Sequence, residues 1–340
     1  MNKKIGFIAM LISATGMGLV GTLGRLSTPV DPTTGTKYIT GDFLAAGRML
    51  TGALGFLLIV LLTKKWQQMR STRLSFAVIA GGLSIGTSLA LYVSSTLMTT
   101  IANAVFLIYT GPLFSALLAR IFLKEKIRLA NAVCLVLVFL GMVMTVGLVN
   151  LGPDGLSFGL DLGANPELPN KTVGDLFGLG SGLFYGLALF FYRYRGDIPS
   201  EVRGVWNFVF GAVGAGLVMV LRIRFLDDTN PFRVMTRSNW SWAVVLFLVC
   251  GLLAIGLLVV AGKNLMAVEL STTSYWECLV ALLLGALIWH ESMTLIGAIG
   301  GALILLGGLG PIIYDVALAP RRRRMQAEAE ASPQSVPEPG

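Results

Sequence analysis

The chain has 340 residues, a formal net charge of +8, 55% hydrophobic and only 13% charged residues, and a mean hydropathy of +0.77. A soluble domain carries roughly 25% charged residues, and no soluble core of this length could hide so much apolar surface, so the composition indicates a polytopic membrane protein. The positive balance does not describe a nucleic-acid surface: the basic residues fall in short clusters between apolar runs, and only Arg321 to Arg324 form a block.

Ten apolar runs follow along the chain, at approximately 5–26, 42–63, 74–97, 101–123, 129–150, 174–194, 203–225, 240–262, 267–289 and 293–314. Each is long enough, or nearly so, to cross a hydrocarbon layer about 30 Å thick. Backbone groups in lipid have no water to bond, and a helix satisfies them internally. The expected fold class is therefore an all-α polytopic membrane protein with ten transmembrane helices. The first run follows "MNKK" and lacks an A-x-A cleavage site, so a retained helix is expected rather than a signal peptide. "TPVDPTTGTKYIT" and the Gly/Pro/Asp-rich "GPDGLSFGLDLGANPELPNK" read as surface loops. The end, "QAEAEASPQSVPEPG", reads as a disordered tail.

The connections also predict orientation. Eighteen Lys and Arg lie in segments on the side of the N-terminus and seven on the other, which places both termini in the cytoplasm of an inner or plasma membrane. Arg222, Arg224, Arg233 and Arg237, all near the connection at 226–239, run against that rule. Cys134, Cys250 and Cys278 lie inside apolar runs without C-x-x-C spacing and read as free thiols.

A shift of 166 residues lays "IYTGPLFSALLARIFLKEKIRLANAVCLVLVFLGM" over "SYWECLVALLLGALIWHESMTLIGAIGGALILLGG" without a gap. Tyr109 falls on Tyr275, Glu125 on Glu291 and Gly141 on Gly307. A shift of 168 pairs Gly6 with Gly174, Ser13 with Ser181 and Arg25 with Arg193. Two five-helix repeats follow, over 1–150 and 174–314, joined by a linker at 151–173 and followed by a tail at 315–340. An odd number of spans inverts the second repeat, the arrangement of secondary transporters whose site lies near the midplane.

The hairpins "LKEKIRLANAVCLVLVFLGM" and "WHESMTLIGAIGGALILLGG" resemble the tandem signature of EamA-type proteins in the drug/metabolite transporter superfamily. The resemblance covers both repeats and implies a ten-helix carrier. Characterised relatives export amino acids or other metabolites, and others import nutrients such as choline. It also implies that Glu125 and Glu291, with Gly141 and Gly307, are structural anchors of the hairpins. This chain departs from its own symmetry where Gly111 and Pro112 face Glu277 and Cys278.

Glu277 is the sharpest candidate. At about 1.5 Å of rise per residue it lies roughly 13 Å from Val268 and roughly 20 Å from His290, near mid-depth. An ionisable group there is costly unless paired, protonated or hydrated, so Glu277 is a candidate proton-coupling group or counter-charge for a substrate amine. Arg48 in "LAAGRMLTG" is a candidate for a substrate carboxylate, or a structural partner. Tyr92, Tyr109, Tyr185, Tyr275, Trp276 and Asn207 offer aromatic faces and polar tips for an organic zwitterion, though each taken alone also reads as a packing residue. Ser271 to Ser274 can line a cavity or bond their own helix. His290 is expected at an exposed interface.

No H-E-x-x-H, P-loop or G-x-S-x-G motif is present, so no enzyme, metal site or cofactor is expected. The expected function is secondary-active export of a small metabolite, an amino acid or related zwitterion, with proton coupling as one option. Alternatives are an organic-cation exporter, a choline-like importer of the same fold, or, in another class, a membrane scaffold or intramembrane enzyme. The expected partners are a small-molecule substrate and the lipid bilayer, with no nucleic acid, in a monomer or weak homodimer.

Overall fold

The computed structural model describes residues 2–33, 35, 37–124, 129–145, 149–152, 155–158, 170–192, 198–225, 229–265, 267–291 and 294–310. Glu125, most of the 153–169 connection and the tail with Arg321–Arg324 lie outside the described residues. Seven helical stretches are long and apolar enough to cross a membrane: Lys3–Ser27, Gly41–Leu62, Phe76–Met98, Ile101–Phe122, Lys171–Tyr192, Glu201–Phe225 and Arg237–Asn264. Three shorter apolar helices, Ala132–Thr145, Trp276–Trp289 and Leu295–Gly310, accompany them.

In chain order the helices are α1 (Lys3–Gly18), α2 (Val20–Ser27), α3 (Gly41–Leu62), α4 (Trp66–Ser71), α5 (Phe76–Met98), α6 (Ile101–Ile108), α7 (Gly111–Phe122) and α8 (Leu129–Thr145). Then come α9 (Lys171–Tyr192), α10 (Ser200–Phe225), α11 (Pro231–Val234), α12 (Arg237–Leu246), a π-helical segment (Phe247–Leu253), α13 (Ala254–Asn264), α14 (Ala267–Ser274), α15 (Trp276–Trp289) and α16 (Leu295–Gly310). The connection after α8 is not wholly irregular: β1 (Val149–Gly152) and β2 (Gly155–Phe158) form an antiparallel hairpin, with Val149 opposite Phe158.

Helix starts follow side-chain chemistry. Thr100 accepts from Asn103 N–H, and Thr236 and Asn239 form a reciprocal capping box. The break between α6 and α7 has a cause in Pro112, which lacks an N–H and crowds the preceding turn. The break at Tyr275 has no proline. Close crossings rest on glycine: a Cβ on Gly86 would sit 1.9 Å from Gly211 O, so α5 and α10 meet backbone to backbone. The repeat mates Gly141 and Gly307 likewise lie against Gly300 O and Cys134 O. Large apolar side chains face outward along α3, Leu54 at 64% and Leu62 at 74% exposure, which suits lipid rather than water.

The bundle has two polar ends. At the end where the chain begins, Lys3 pairs with Glu269 at 2.5 Å, and Lys65 and Lys263 both pair with Glu201 at 2.8 and 3.6 Å. At the opposite end, Arg25 pairs with Glu291, Arg222 with Asp42 and Lys171 with Asp175, at 2.5, 2.7 and 3.0 Å. Asp175 also accepts from Thr99 Oγ1 and Asn103 Nδ2, tying α9 to the start of α6. A buried core of Leu23, Leu44, Val93, Ile101, Val105, Cys278 and Ala281 lies among these helices.

Candidate functional site

A cavity of about 310 Å³ runs between α1, α3, α5, α6, α9, α10, α13, α14 and α15. Its lining reaches Tyr192, the last residue of α9, at the Lys3 end. Toward the Arg25 end it stops at Tyr92 and Tyr109, short of the helix termini. The cavity is therefore deep and displaced toward the Lys3 end.

Glu277 lines it from the first turn of α15, just after the break at Tyr275. A helix N-terminus favours a carboxylate there. The side chain is partly buried, and Tyr109 Oη donates to Glu277 Oε2 at 3.2 Å. Arg48 lines the same cavity and is 6% exposed. Its Nε donates to Cys250 O at 3.3 Å and an Nη to Met17 Sδ at 2.6 Å, a thioether being a weak acceptor. Cys250 belongs to the π-helical segment, which leaves carbonyls displaced from the usual ladder: Cys250 O takes Arg48, and Phe247 O takes Thr51 Oγ1 at 3.1 Å. Among the described residues neither Arg48 nor Glu277 has an ion-pair partner, and they are not paired with each other. The cavity thus presents one positive and one negative group among mostly apolar walls.

Of the residues expected from sequence, Glu277, Arg48, Tyr92, Tyr109, Tyr185, Asn207 and Ser274 line this one cavity. Asn207 Oδ1 is buried without a hydrogen-bond partner among the described residues. Tyr275 is not part of the lining; it packs behind Tyr109, ring centroids 5.3 Å apart at 31°. These repeat mates sit at the two helix breaks, Tyr109 between α6 and α7 and Tyr275 between α14 and α15. Trp276 is also not in the lining: it is 40% exposed and donates Nε1 to Thr15 Oγ1 at 3.0 Å. His290 is exposed, in a left-handed conformation at φ 49°. All three cysteines are free, and among the described residues no group of three His, Cys, Asp or Glu could hold a metal ion.

Sequence reasoning missed the softer lining, Met10, Ala14 and Met17 of α1 with Met49 and Phe208. Met10, Ala14 and Met17 share one helical stripe, the signal that could have identified that wall.

Comparison with known proteins agrees with this architecture. The profile of the EamA-like transporter family matches residues 4–147 and 172–310. Two proteins of Helicobacter pylori, from strains ATCC 700392 / 26695 and J99 / ATCC 700824, each described as an uncharacterized transporter, are 25% identical over 248 residues. That stretch is 72% of this chain and 75% of theirs. A solved structure titled only "Crystal structure of protein" superposes with a TM-score of 0.53 at 19% identity, over 93% of this chain and 98% of that one, a likeness of fold. The chain is a multi-pass membrane protein of the EamA-like transporter family.

Proposed function

We propose that the chain is a secondary-active carrier that exports a small zwitterion such as an amino acid, with Arg48 receiving the carboxylate and Glu277 the ammonium group. The observation that carries this reading is the pair of opposite charges in one cavity, each without an ion-pair partner among the described residues. An ionisable side chain at membrane depth is costly, and a functional role is its default reading. The guanidinium fork suits a carboxylate, and Tyr92, Tyr109 and Tyr185 supply aromatic wall for the remainder of the cargo. The cavity volume lies at the small end of ligand pockets.

In this reading ten helices span the membrane as two inverted five-helix repeats, over 1–150 and 174–314, and the two rock about the cavity. The Lys3 end faces the cytoplasm, by the excess of Lys and Arg there. The cavity's extension toward that end lets cargo load from inside. Between export steps a proton on Glu277, whose oxygen already accepts from Tyr109, replaces the cargo ammonium, which couples export to proton entry.

Organic-cation export is the second reading, favoured by the tyrosines around Glu277. Arg48 in the same cavity opposes it. Counterflow in proteoliposomes with matched amino acids, their amides and organic cations separates the two. Exchange restricted to species with a free carboxylate supports the zwitterion reading; equal exchange of amides and cations replaces it with the second.

A further inference from the structure

A second ionic cluster lies away from the cavity, at the opposite end of the bundle. Arg25 and Glu291 are 7% and 11% exposed and approach to 2.5 Å. Arg25 Nε donates to Thr96 O at 2.7 Å and an Nη to Thr99 O at 2.8 Å, so one guanidinium joins the end of α2 to the end of α5. Both oxygens of Glu291 accept from Ile101 N–H, at 3.1 and 3.0 Å, so one carboxylate joins the segment after α15 to the first residue of α6. The Trp289 ring lies under Arg25 and under Lys37, at 5.3 and 4.3 Å to its centroid. Four elements, drawn from both repeats, therefore meet at one ion pair. The buried core that includes Leu23, Val93, Ile101 and Cys278 packs among the same elements.

The Lys3 end is built differently. Its lysines Lys3, Lys65 and Lys263 are 56%, 32% and 54% exposed, so those pairs are hydrated. A hydrated pair parts at little cost, whereas a buried one holds until both charges find other partners. One end of the bundle is thus wet and loosely tied, whereas the other holds two buried pairs, Asp42 with Arg222 and Arg25 with Glu291, of which the second gathers four elements.

We propose that Arg25 and Glu291 form the outer latch of the carrier, the contact that must part before the cavity opens at that end. The proposal rests on the carrier reading above. It gives Glu291 a conformational role beyond anchoring its hairpin, and it makes Glu291 the moving partner, because the Thr96 and Thr99 carbonyls hold the Arg25 guanidinium in place after Glu291 withdraws.

The test uses the full-length chain carrying Cys134→Ser and Cys250→Ala, which leaves buried Cys278 as the only thiol. Right-side-out vesicles are exposed to a membrane-impermeant maleimide from outside. Arg25→Gln and Glu291→Gln are expected to raise the labelling rate of Cys278 by about tenfold or more over the parent, because losing the pair shifts the population toward outward opening. Labelling at the parental rate, in variants that remain monodisperse in detergent, overturns the latch. Should the Gln variants fail to fold, Arg25→Lys serves: it keeps the charge but loses the fork. A rise of about two- to fivefold then supports the proposal, and parental labelling overturns it. Labelling needs no cargo, so failure of the latch appears as unchanged labelling, and failure of the carrier reading as absence of saturable flux in the counterflow assay.

Discussion

The ion pair between Asp42 and Arg222 gives a quantitative test of how the bundle is held together. Both groups are buried, at 0% and 4% exposure, and Arg222 donates Nε to Oδ2 at 2.7 Å and an Nη to Oδ1 at 3.4 Å. Asp42→Asn keeps the shape and removes the counter-charge from a buried guanidinium. Breaking one side of a buried pair costs about 3–5 kcal/mol. The lower end applies here, because Arg222 keeps Thr229 O as an acceptor at 3.1 Å. Asp42 also sits in the first turn of α3, where the helix dipole adds about 0.3–1 kcal/mol in favour of its charge. The expected loss is therefore about 3 kcal/mol for Asp42→Asn and a similar amount for Arg222→Gln. The double variant, an amide facing an amide, should lose less than either single, a coupling of about 3 kcal/mol or more. Unfolding in mixed micelles of mild detergent and dodecyl sulfate, followed by tryptophan fluorescence, measures all three. Asp42→Asn within about 1 kcal/mol of wild type, or strictly additive losses, refutes the reasoning.

Other outcomes follow from the same structure. Gly86→Ala places a methyl group 1.9 Å from Gly211 O, where an ordinary contact is about 3.3 Å or more, so α5 and α10 must part. A loss of about 1–3 kcal/mol is expected in the same unfolding assay. Gly216→Ala, with nothing within 4 Å of its new methyl group, should be neutral. Tyr109→Phe removes the phenol donor of Glu277 and keeps the ring against Tyr275; a net bond of about 1 kcal/mol predicts roughly a fivefold change in half-saturation for counterflow. Lys37 lies in the connection between α2 and α3, where burial first and then the Arg25 charge push its ammonium down to about 8 from 10.5, with Glu291 pulling the other way. Its charged form is thus penalised in the folded chain below pH 8, and the penalty is relieved as pH rises toward 10.5. Lys37→Met should therefore gain stability over wild type most at pH 7 and progressively less above pH 8; a gap that does not change with pH counts against this assignment.

The helical membrane character was legible because lipid leaves a backbone little choice; of the ten apolar runs, seven carry helices long enough to cross a membrane and three carry shorter apolar helices. Their interruptions were only partly legible. Pro112 announces the break between α6 and α7, whereas nothing comparable marks Leu19, Tyr275 or the π-helical segment, which depend on packing against distant helices. Glu277 stood out as an acid in an apolar run, yet its hydrogen-bond partner Tyr109 is 168 residues away; the repeat matched Tyr109 with Tyr275, and only the fold joins it to Glu277. Trp276, next to Glu277, shows the limit of reading neighbours: one residue turns about 100° around a helix, enough to carry it from the cavity to Thr15. Arg25 and Arg222 looked like orientation charges because their partners Glu291 and Asp42 are far apart in the chain. Charge counting sees the cations and not the pairing that lets them stay buried.

The central claim is that Glu277 couples cargo movement to a proton. Counterflow and proton-driven uptake of amino acids, measured in proteoliposomes for wild type and Glu277→Gln, test it directly. The account predicts that wild type exchanges amino acids and responds to a proton gradient, while Glu277→Gln keeps exchange at reduced affinity and no longer responds to the gradient. A variant that matches wild type in every mode makes Glu277 a structural group and contradicts the account.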